Sequence, residues 1–223
     1  MSVKMLRNVS FFKVLGQREI DRILSIARTR RYREGEMVFH KADIGRNFFI
    51  VKSGRIKVFA AIGPEKRKTF AYLKKGDFLG EMSLLGGKVR SASAQAVEES
   101  ELLVISSRNF RELILRSPDF TLKLLHTLVD RINKCDKEIE SMLFHNILGR
   151  LAAAIMNLAG DKPSGRFTMK MSQTEIADYM GTTRVPVCRA VNTLKRSGVI
   201  SYKRGELSVL DMRRLRSIAG GAS

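Results

Sequence analysis

Ser172-Gln173-Thr174-Glu175-Ile176-Ala177-Asp178-Tyr179-Met180-Gly181-Thr182-Thr183-Arg184-Val185-Pro186-Val187-Cys188-Arg189-Ala190-Val191-Asn192-Thr193-Leu194-Lys195-Arg196-Ser197-Gly198 is the stretch that decides the fold of the C-terminal third of this chain. Ser172 followed three residues later by Glu175 is a capping box that opens a helix. Ile176, Ala177 and Met180 give that helix an apolar face. Gly181 supplies a tight turn. Thr182 or Thr183 can cap a second helix, which runs to Lys195 or Arg196 and stops before Gly198. Pro186 falls in its first turn, where a missing N–H costs little. The order helix, glycine turn, helix is a helix-turn-helix. Arg184 and Arg189 lie on its outer side and Val187, Ala190, Val191 and Leu194 on its inner side; Cys188 is expected to pack within the helix's apolar contacts. Arginines near the N-terminal end of such a helix can reach guanine edges in a major groove.

Residues 199–210 follow as a hairpin whose tip, Lys203-Arg204, is basic. A wing of this kind touches phosphates, which strengthens binding without reading sequence. An ordinary helical hairpin would explain each part separately, but capping box, turn glycine, basic helix and wing in that order favour DNA binding. The candidate contacts are Ser172, Gln173, Thr183, Arg184, Val185, Pro186, Arg189, Lys203 and Arg204. The net charge of +19 and pI near 10.4 agree with a polyanionic partner. From Ile147 onward the chain has 13 lysines and arginines against 5 acids, yet the remainder is also basic, so charge alone does not locate the face.

Upstream, Arg31 to about Ile105 carries short runs rich in β-branched and aromatic residues: Met37–Phe39, Phe48–Val51, Ile56–Phe59 and Thr69–Leu73. Turn residues punctuate them, including Gly35, Gly45, Ser53-Gly54, Gly63-Pro64 and Lys75-Gly76-Asp77, which suggests an antiparallel barrel or roll. Inside it stands Gly80-Glu81-Met82-Ser83-Leu84-Leu85-Gly86-Gly87-Lys88-Val89-Arg90-Ser91. A glutamate can accept a hydrogen bond from a ribose hydroxyl, and an arginine next to a serine can grip a phosphate with paired donors. Arg90 beside Ser91 is the more specific half of that signal, since Glu81 could serve the roll's own packing.

A helix is expected over 8–28 from Phe12, Leu15, Ile20, Ile23 and Leu24. After Pro118, Leu125, Leu128, Ile132, Cys135, Ile139 and Met142 recur at steps of 3 and 4, an a/d seam suited to a partner helix. The competing expectation is a helix lying on its own barrel. Cys135 in that seam reads as a small buried hydrophobe. Phe144-His145-Asn146 interrupts the seam, a helix covers 147–159, and residues 160–165 form a loop.

These residues together resemble a cyclic-nucleotide-responsive regulator of the Crp/Fnr family. The resemblance implies an α+β fold: an N-terminal antiparallel β-roll of the cyclic-nucleotide-binding type (1–117), a long dimerisation helix and hinge (118–145), and a C-terminal winged helix-turn-helix (146–223). It implies a cyclic phosphate on Arg90 and Ser91, helped by N–H groups around Met82, Ser83 and Ala92, with Gly80-Glu81 holding the ribose 2′-hydroxyl. The base would lie near Cys135 and Asp136. A carboxylate at 136 accepts from adenine N6 but can also take two hydrogen bonds from guanine, so cyclic AMP is favoured and cyclic GMP stays open. Val185, with Pro186 beside it, replaces an acidic residue that often reads cytosine in the family. Gly86-Gly87-Lys88-Val89 lacks a proline often found there.

The implied partners are double-stranded DNA, a second copy of the chain and RNA polymerase. Two cysteines fall short of the roughly four ligands of an iron–sulfur cluster. His40, His126 and His145 are scattered and read as surface or hinge residues, so neither metal nor haem is expected. There is no P-loop, zinc spacing or GxSxG, and no enzymatic activity is expected. Residues 1–6 lack an extended apolar segment and the cysteines form no disulfide framework, so no membrane association and a cytoplasmic location are expected. The alternative is a regulator of the same type whose cassette is structural and which responds to redox state, haem or cyclic di-GMP, or acts without ligand.

Overall fold

The computed structural model describes residues 16–62, 66–159 and 167–220. Residues 8–15 of the expected first helix, the Gly63-Pro64 turn and the 160–165 loop lie outside the described residues. The chain forms two compact units, one of residues up to Ala60 with Phe70–Arg131, the other of Ala61–Thr69 with Ile132 onward.

The first unit opens with α1 (Gln17–Ile26), and β1 (Arg28–Tyr32) follows after one residue. The helix expected to reach residue 28 therefore stops early. β1 pairs with β8 (Ser100–Ser106) from Arg28↔Val104 to Tyr32↔Ser100, and that ladder buries the Tyr32 side chain. The other strands are β2 (Met37–Phe39), β3 (Asn47–Ser53), β4 (Ile56–Ile62), β5 (Lys66–Leu73), β6 (Phe78–Leu79) and β7 (Ser93–Ala96). They make two four-stranded sheets, ordered β1-β8-β3-β6 and β2-β7-β4-β5. The registers are antiparallel.

β3 has no solvent face over Phe48–Val51. Successive strand side chains point to opposite sides, so Phe49 and Val51 enter the core between the sheets with Tyr32, Ile56 and Leu102. Phe48 and Ile50 enter a second core with Ile20, Ile23, Phe110, Leu113, Phe120 and Leu124. That second core is roofed by α1, by α3 (Ser107–Arg116) and by the start of α4 (Pro118–Phe144). No expectation from the sequence covers α3. Its marks are the Ser106 hydroxyl, which accepts from Asn109 N at 3.3 Å, and the buried pair Phe110 and Leu113 three residues apart. Pro118 opens α4 at the position where a helix tolerates proline.

In the second unit α5 (Ile147–Ala159) starts after the expected break. Asn146 Oδ1 accepts from the N–H groups of Leu148 and Gly149, both at 3.0 Å, so the interruption is a helix cap. β9 (Thr168–Lys170), α6 (Gln173–Met180), α7 (Arg184–Arg196), β10 (Ile200–Lys203), β11 (Glu206–Val209) and α8 (Met212–Ala219) follow. The sheet order is β10-β11-β9. Leu151, Ile155, Ile176, Val187, Leu194, Leu207 and Leu215 are buried.

Phe48 is fully buried, 4.6 Å from the Phe110 ring, 5.4 Å from Phe78 and 6.1 Å from Phe120. Phe48→Ala is expected to cost about 3–5 kcal/mol and Phe48→Leu clearly less. Urea unfolding followed by circular dichroism measures both; a loss below about 1 kcal/mol for the alanine variant would contradict this packing.

Candidate functional site

The cassette begins where β6 ends. Gly80 takes φ +90°, and a Cβ there would lie 2.6 Å from Arg90 Nη1. Only glycine combines that backbone with so close an approach. The one-turn helix α2 (Met82–Leu85) follows, and the chain returns through 86–89 to Arg90, Ser91 and β7. The Arg90 side chain is turned inward and is 5% exposed. Its Nη1 donates to Gly80 O at 2.8 Å and to Ser83 Oγ at 2.7 Å, and its Nη2 donates to Asn47 O at 2.7 Å. The guanidinium stacks 4.3 Å above the Phe39 ring and 5.5 Å from Phe49. Arg90 Nε–H is buried without a partner. Desolvation lowers the Arg90 pKa, and Glu81 and Asp43 oppose that shift.

Glu81 is 2% exposed. Its Oε1 accepts from Arg131 Nη1 at 2.7 Å, while its Oε2 is buried with no partner. Burial raises the carboxyl above its ordinary pKa; the Arg131 charge is the first of several effects opposing it. Arg131 also donates to Phe78 O at 2.6 Å and covers the Phe78 ring at 4.5 Å. Sequence reasoning missed Arg131. It lies 50 residues from Glu81, on a helix whose local pattern marks it only as one more charge. Gly80, Glu81, Ser83 and Arg90 are thus brought together and Ala92 is buried, while Met82 and Ser91 are exposed beside each other, with Ser91 Oγ 3.6 Å from Met82 Sδ.

Cys135 and Asp136 are exposed on the part of α4 that belongs to the second unit. Cys135 was expected to be buried; in the subunit it is not. The expected seam also shifts. Leu128 packs against the roll's core, and the exposed apolar residues are Leu122, Leu125, Val129, Ile132, Ile139, Met142 and Leu143. Steps from 125 through 129, 132 and 136 to 139 place Asp136, not Cys135, in line with that stripe.

The helix-turn-helix is built as its sequence implies, with two exceptions. Ser172 caps α6: its hydroxyl accepts from Glu175 N at 3.2 Å, and Glu175 Oε2 accepts from Ser172 N at 2.7 Å. Gly181 adopts φ +65° as the left-handed C-cap. Thr183 is the N-cap of α7, but its side chain makes no capping bond. A cap hydroxyl accepts from N2 or N3, and N3 here is Pro186, which has no N–H. Arg184, Val185 and Arg189 are exposed, Gln173 and Pro186 partly so. Cys188 was expected inside; it is partly exposed and shares an outward hollow with Arg184, Val185 and Arg189. The buried positions are Val187, Ala190, Val191 and Leu194. In the wing, Lys203 pairs with Glu206 across Arg204-Gly205, whose φ values are +52° and +76°. Both central residues positive is the type I′ hairpin turn, and it projects exposed Lys203 and Arg204. Among the described residues no group of three or more His, Cys, Asp or Glu could hold a metal, and no helix is long and apolar enough to cross a membrane.

Residues 29–117 match the family described as cyclic nucleotide-binding domain, and 149–218 match the Crp-like helix-turn-helix domain. The chain is similar to the cyclic AMP receptor protein of Thermus thermophilus, 32% identical over 210 residues, covering 94% of this chain and 96% of that one. It is 27% identical over 198 residues to the cAMP-activated global transcriptional regulator CRP of Salmonella typhimurium, covering 84% and 94%. A solved structure with the same fold is the c-di-GMP responsive global regulator CLP of Xanthomonas campestris, with TM-score 0.77, 21% identity and coverage of 87% and 99%.

Arg131 is the partner that offsets the burial of Glu81. Arg131→Met is expected to cost about 2–3 kcal/mol, less than the ~3–5 kcal/mol of a fully buried pair because Arg131 is one-third exposed. The folded-state pKa of Glu81 is already raised, and losing the cation raises it further. An ionised carboxylate is then penalised only in the folded state, so the cost is full above the folded pKa. The part of the cost that comes from Glu81 fades as pH falls through the raised folded-state pKa and is gone once Glu81 is protonated with and without Arg131; the part that comes from the lost bond to Phe78 O stays at every pH. Urea unfolding at pH 8, 6 and 5 measures this; a cost independent of pH would contradict it.

Proposed function

The chain belongs to the Crp/Fnr family of transcription regulators, and within that family we propose that its roll binds a cyclic mononucleotide, cyclic AMP first and cyclic GMP second, to control DNA binding by α7. The observation that carries this is a pair of buried, unpartnered polar atoms in one cassette, the acceptor Glu81 Oε2 and the donor Arg90 Nε. A buried polar atom without a partner costs on the order of 1–3 kcal/mol. An unused acceptor fits a ribose hydroxyl and an unused guanidinium N–H fits a phosphate oxygen. Gly80, Met82, Ser83, Ser91 and Ala92 complete the lining in this reading, with the Ser91 hydroxyl as the second anion donor. Cyclic AMP is placed first because the relatives from Thermus thermophilus and Salmonella typhimurium are named for it. Asp136, proposed with Cys135 to meet the base, suits adenine N6 and can also serve guanine.

Binding would act on α4 through Glu81. A ligand hydroxyl on Oε2 would share with Arg131 the charge of one carboxylate, and α4 continues unbroken from Pro118 to Phe144. The exposed stripe of α4 is proposed to pair with a second copy of the chain, so that two α7 helices stand about one DNA turn apart, ~34 Å. Only a ligand with different affinity for the two states can shift that equilibrium. DNA is the partner of Ser172, Gln173, Thr183, Arg184, Val185, Pro186, Arg189, Lys203 and Arg204 in this reading, RNA polymerase is the further candidate, and the cytoplasm is the site of action. A second reading takes the cassette as structural; it is favoured by the bonds that commit both Nη atoms of Arg90 to the roll itself.

Calorimetry with cyclic AMP, cyclic GMP and cyclic di-GMP separates the two. Wild type should bind cyclic AMP, and Ser91→Ala, an exposed change that leaves the fold alone, should bind it roughly tenfold more weakly. Heat from none of the three nucleotides would leave the structural cassette as the answer. Sedimentation tests the α4 stripe: Ile132→Glu with Ile139→Glu should yield monomers, and an unchanged dimer would refute the pairing. DNA affinity should fall steeply with salt, and Lys203→Ala should reduce the slope of log K against log salt by about 1.

A further inference from the structure

The outward face of α7 alternates charge with apolar surface. Arg184 and Val185 stand on its first turn and Cys188 and Arg189 one turn later, together lining the hollow. Val185 is 60% exposed although it is a large aliphatic side chain. Cys188 lies beside it on the same face, its sulfur 3.9 Å from Asn192 Nδ2, a weak contact on the outward side. Val187, Ala190, Val191 and Leu194 already fill the inner face, so Val185 and Cys188 are surplus to the domain's core. From Arg184 to Arg196 the helix has no aspartate or glutamate, hence no carboxylate to accept from cytosine N4.

We propose that Val185 and Cys188 form a methyl-reading pocket, which takes the 5-methyl group of a thymine lying between or beside the guanines contacted by Arg184 and Arg189. The inference rests on the DNA-binding reading and deepens it. Three features of the face support it. In the major groove only thymine among the four bases carries a methyl group, and apolar side chains are what contact it. A thiol behaves here as a small apolar group with weak hydrogen-bonding power. Two guanidinium groups flank the apolar pair, so the surface is matched to a polyanion and the strip between them is the part without charge. Pro186 contributes stiffness, since its ring fixes φ in the first turn and holds Val185 at a set place on the helix.

The test begins with selection of duplexes from a randomised library by the full-length protein, with and without cyclic AMP or cyclic GMP. The expected half-site carries guanine with thymine at a fixed neighbouring position. Replacing that thymine by deoxyuridine, which removes only the methyl, should weaken binding about fourfold per methyl, the effect of exposing one buried CH2-sized group. In the variant Val185→Ser with Cys188→Ser, thymine and deoxyuridine duplexes should bind equally while the guanines remain required. Equal binding of both duplexes by wild type overturns the proposal and leaves DNA binding intact. So does a methyl preference that survives in the double variant, because the methyl is then read elsewhere. If no duplex is enriched under any condition, the DNA-binding reading itself falls and the proposal falls with it.

Discussion

The geometry of the first unit depends on one buried cation. Moving a guanidinium out of water is costly unless its donors are met. Arg90 meets most of that cost with Gly80 O, Ser83 Oγ and Asn47 O and with the face of Phe39. Those partners come from β2, from β3 and from the stretch Gly80 to Ser83, so a single side chain ties three segments that are separate in sequence. Gly80 must lack a side chain because Arg90 occupies the space, and Ser83 must be small and polar because Arg90 donates to it. Glu81 is then left with a buried carboxylate beside a buried guanidinium, and Arg131 on α4 is recruited to neutralise it.

The helix-turn-helix was legible because its determinants are local. Ser172 and Glu175 cap each other across three residues, and Gly181 needs only its own backbone to make the turn. The roll was legible as a class but less so in its parts. β1 is mostly exposed Arg-Thr-Arg-Arg and has the look of a helix end; its identity comes from β8, some 70 residues away. α3 was hidden for a different reason, being a short helix wedged between a strand and Pro118. Arg131 could not have been found by spacing, because the partner that gives it a role is set by the fold.

Two expectations failed through competition between local rules. Thr183 occupies the cap of α7 and yet its side chain makes no capping bond, and the proline that suits the first turn removes one of the two donors, N2 and N3, that a cap hydroxyl can use. On α4 apolar residues occupy two adjacent stripes. A sequence with Leu124, Leu125, Leu128 and Val129 supports either face, and the roll claims Leu124 and Leu128, leaving the neighbouring stripe exposed.

The wing turn has a consequence for how this domain can change over time. Arg204 is held in a left-handed conformation that asparagine or glycine would adopt with less strain, a difference of about 1 kcal/mol. The charge at the apex is therefore kept against the preference of the backbone beneath it. Under the proposed contact with a polyanion, selection for a more stable fold and selection for a firmer hold would pull on this residue in opposite directions. A lineage that drifted towards thermal robustness alone would be expected to lose the arginine first, and with it the charge at the apex.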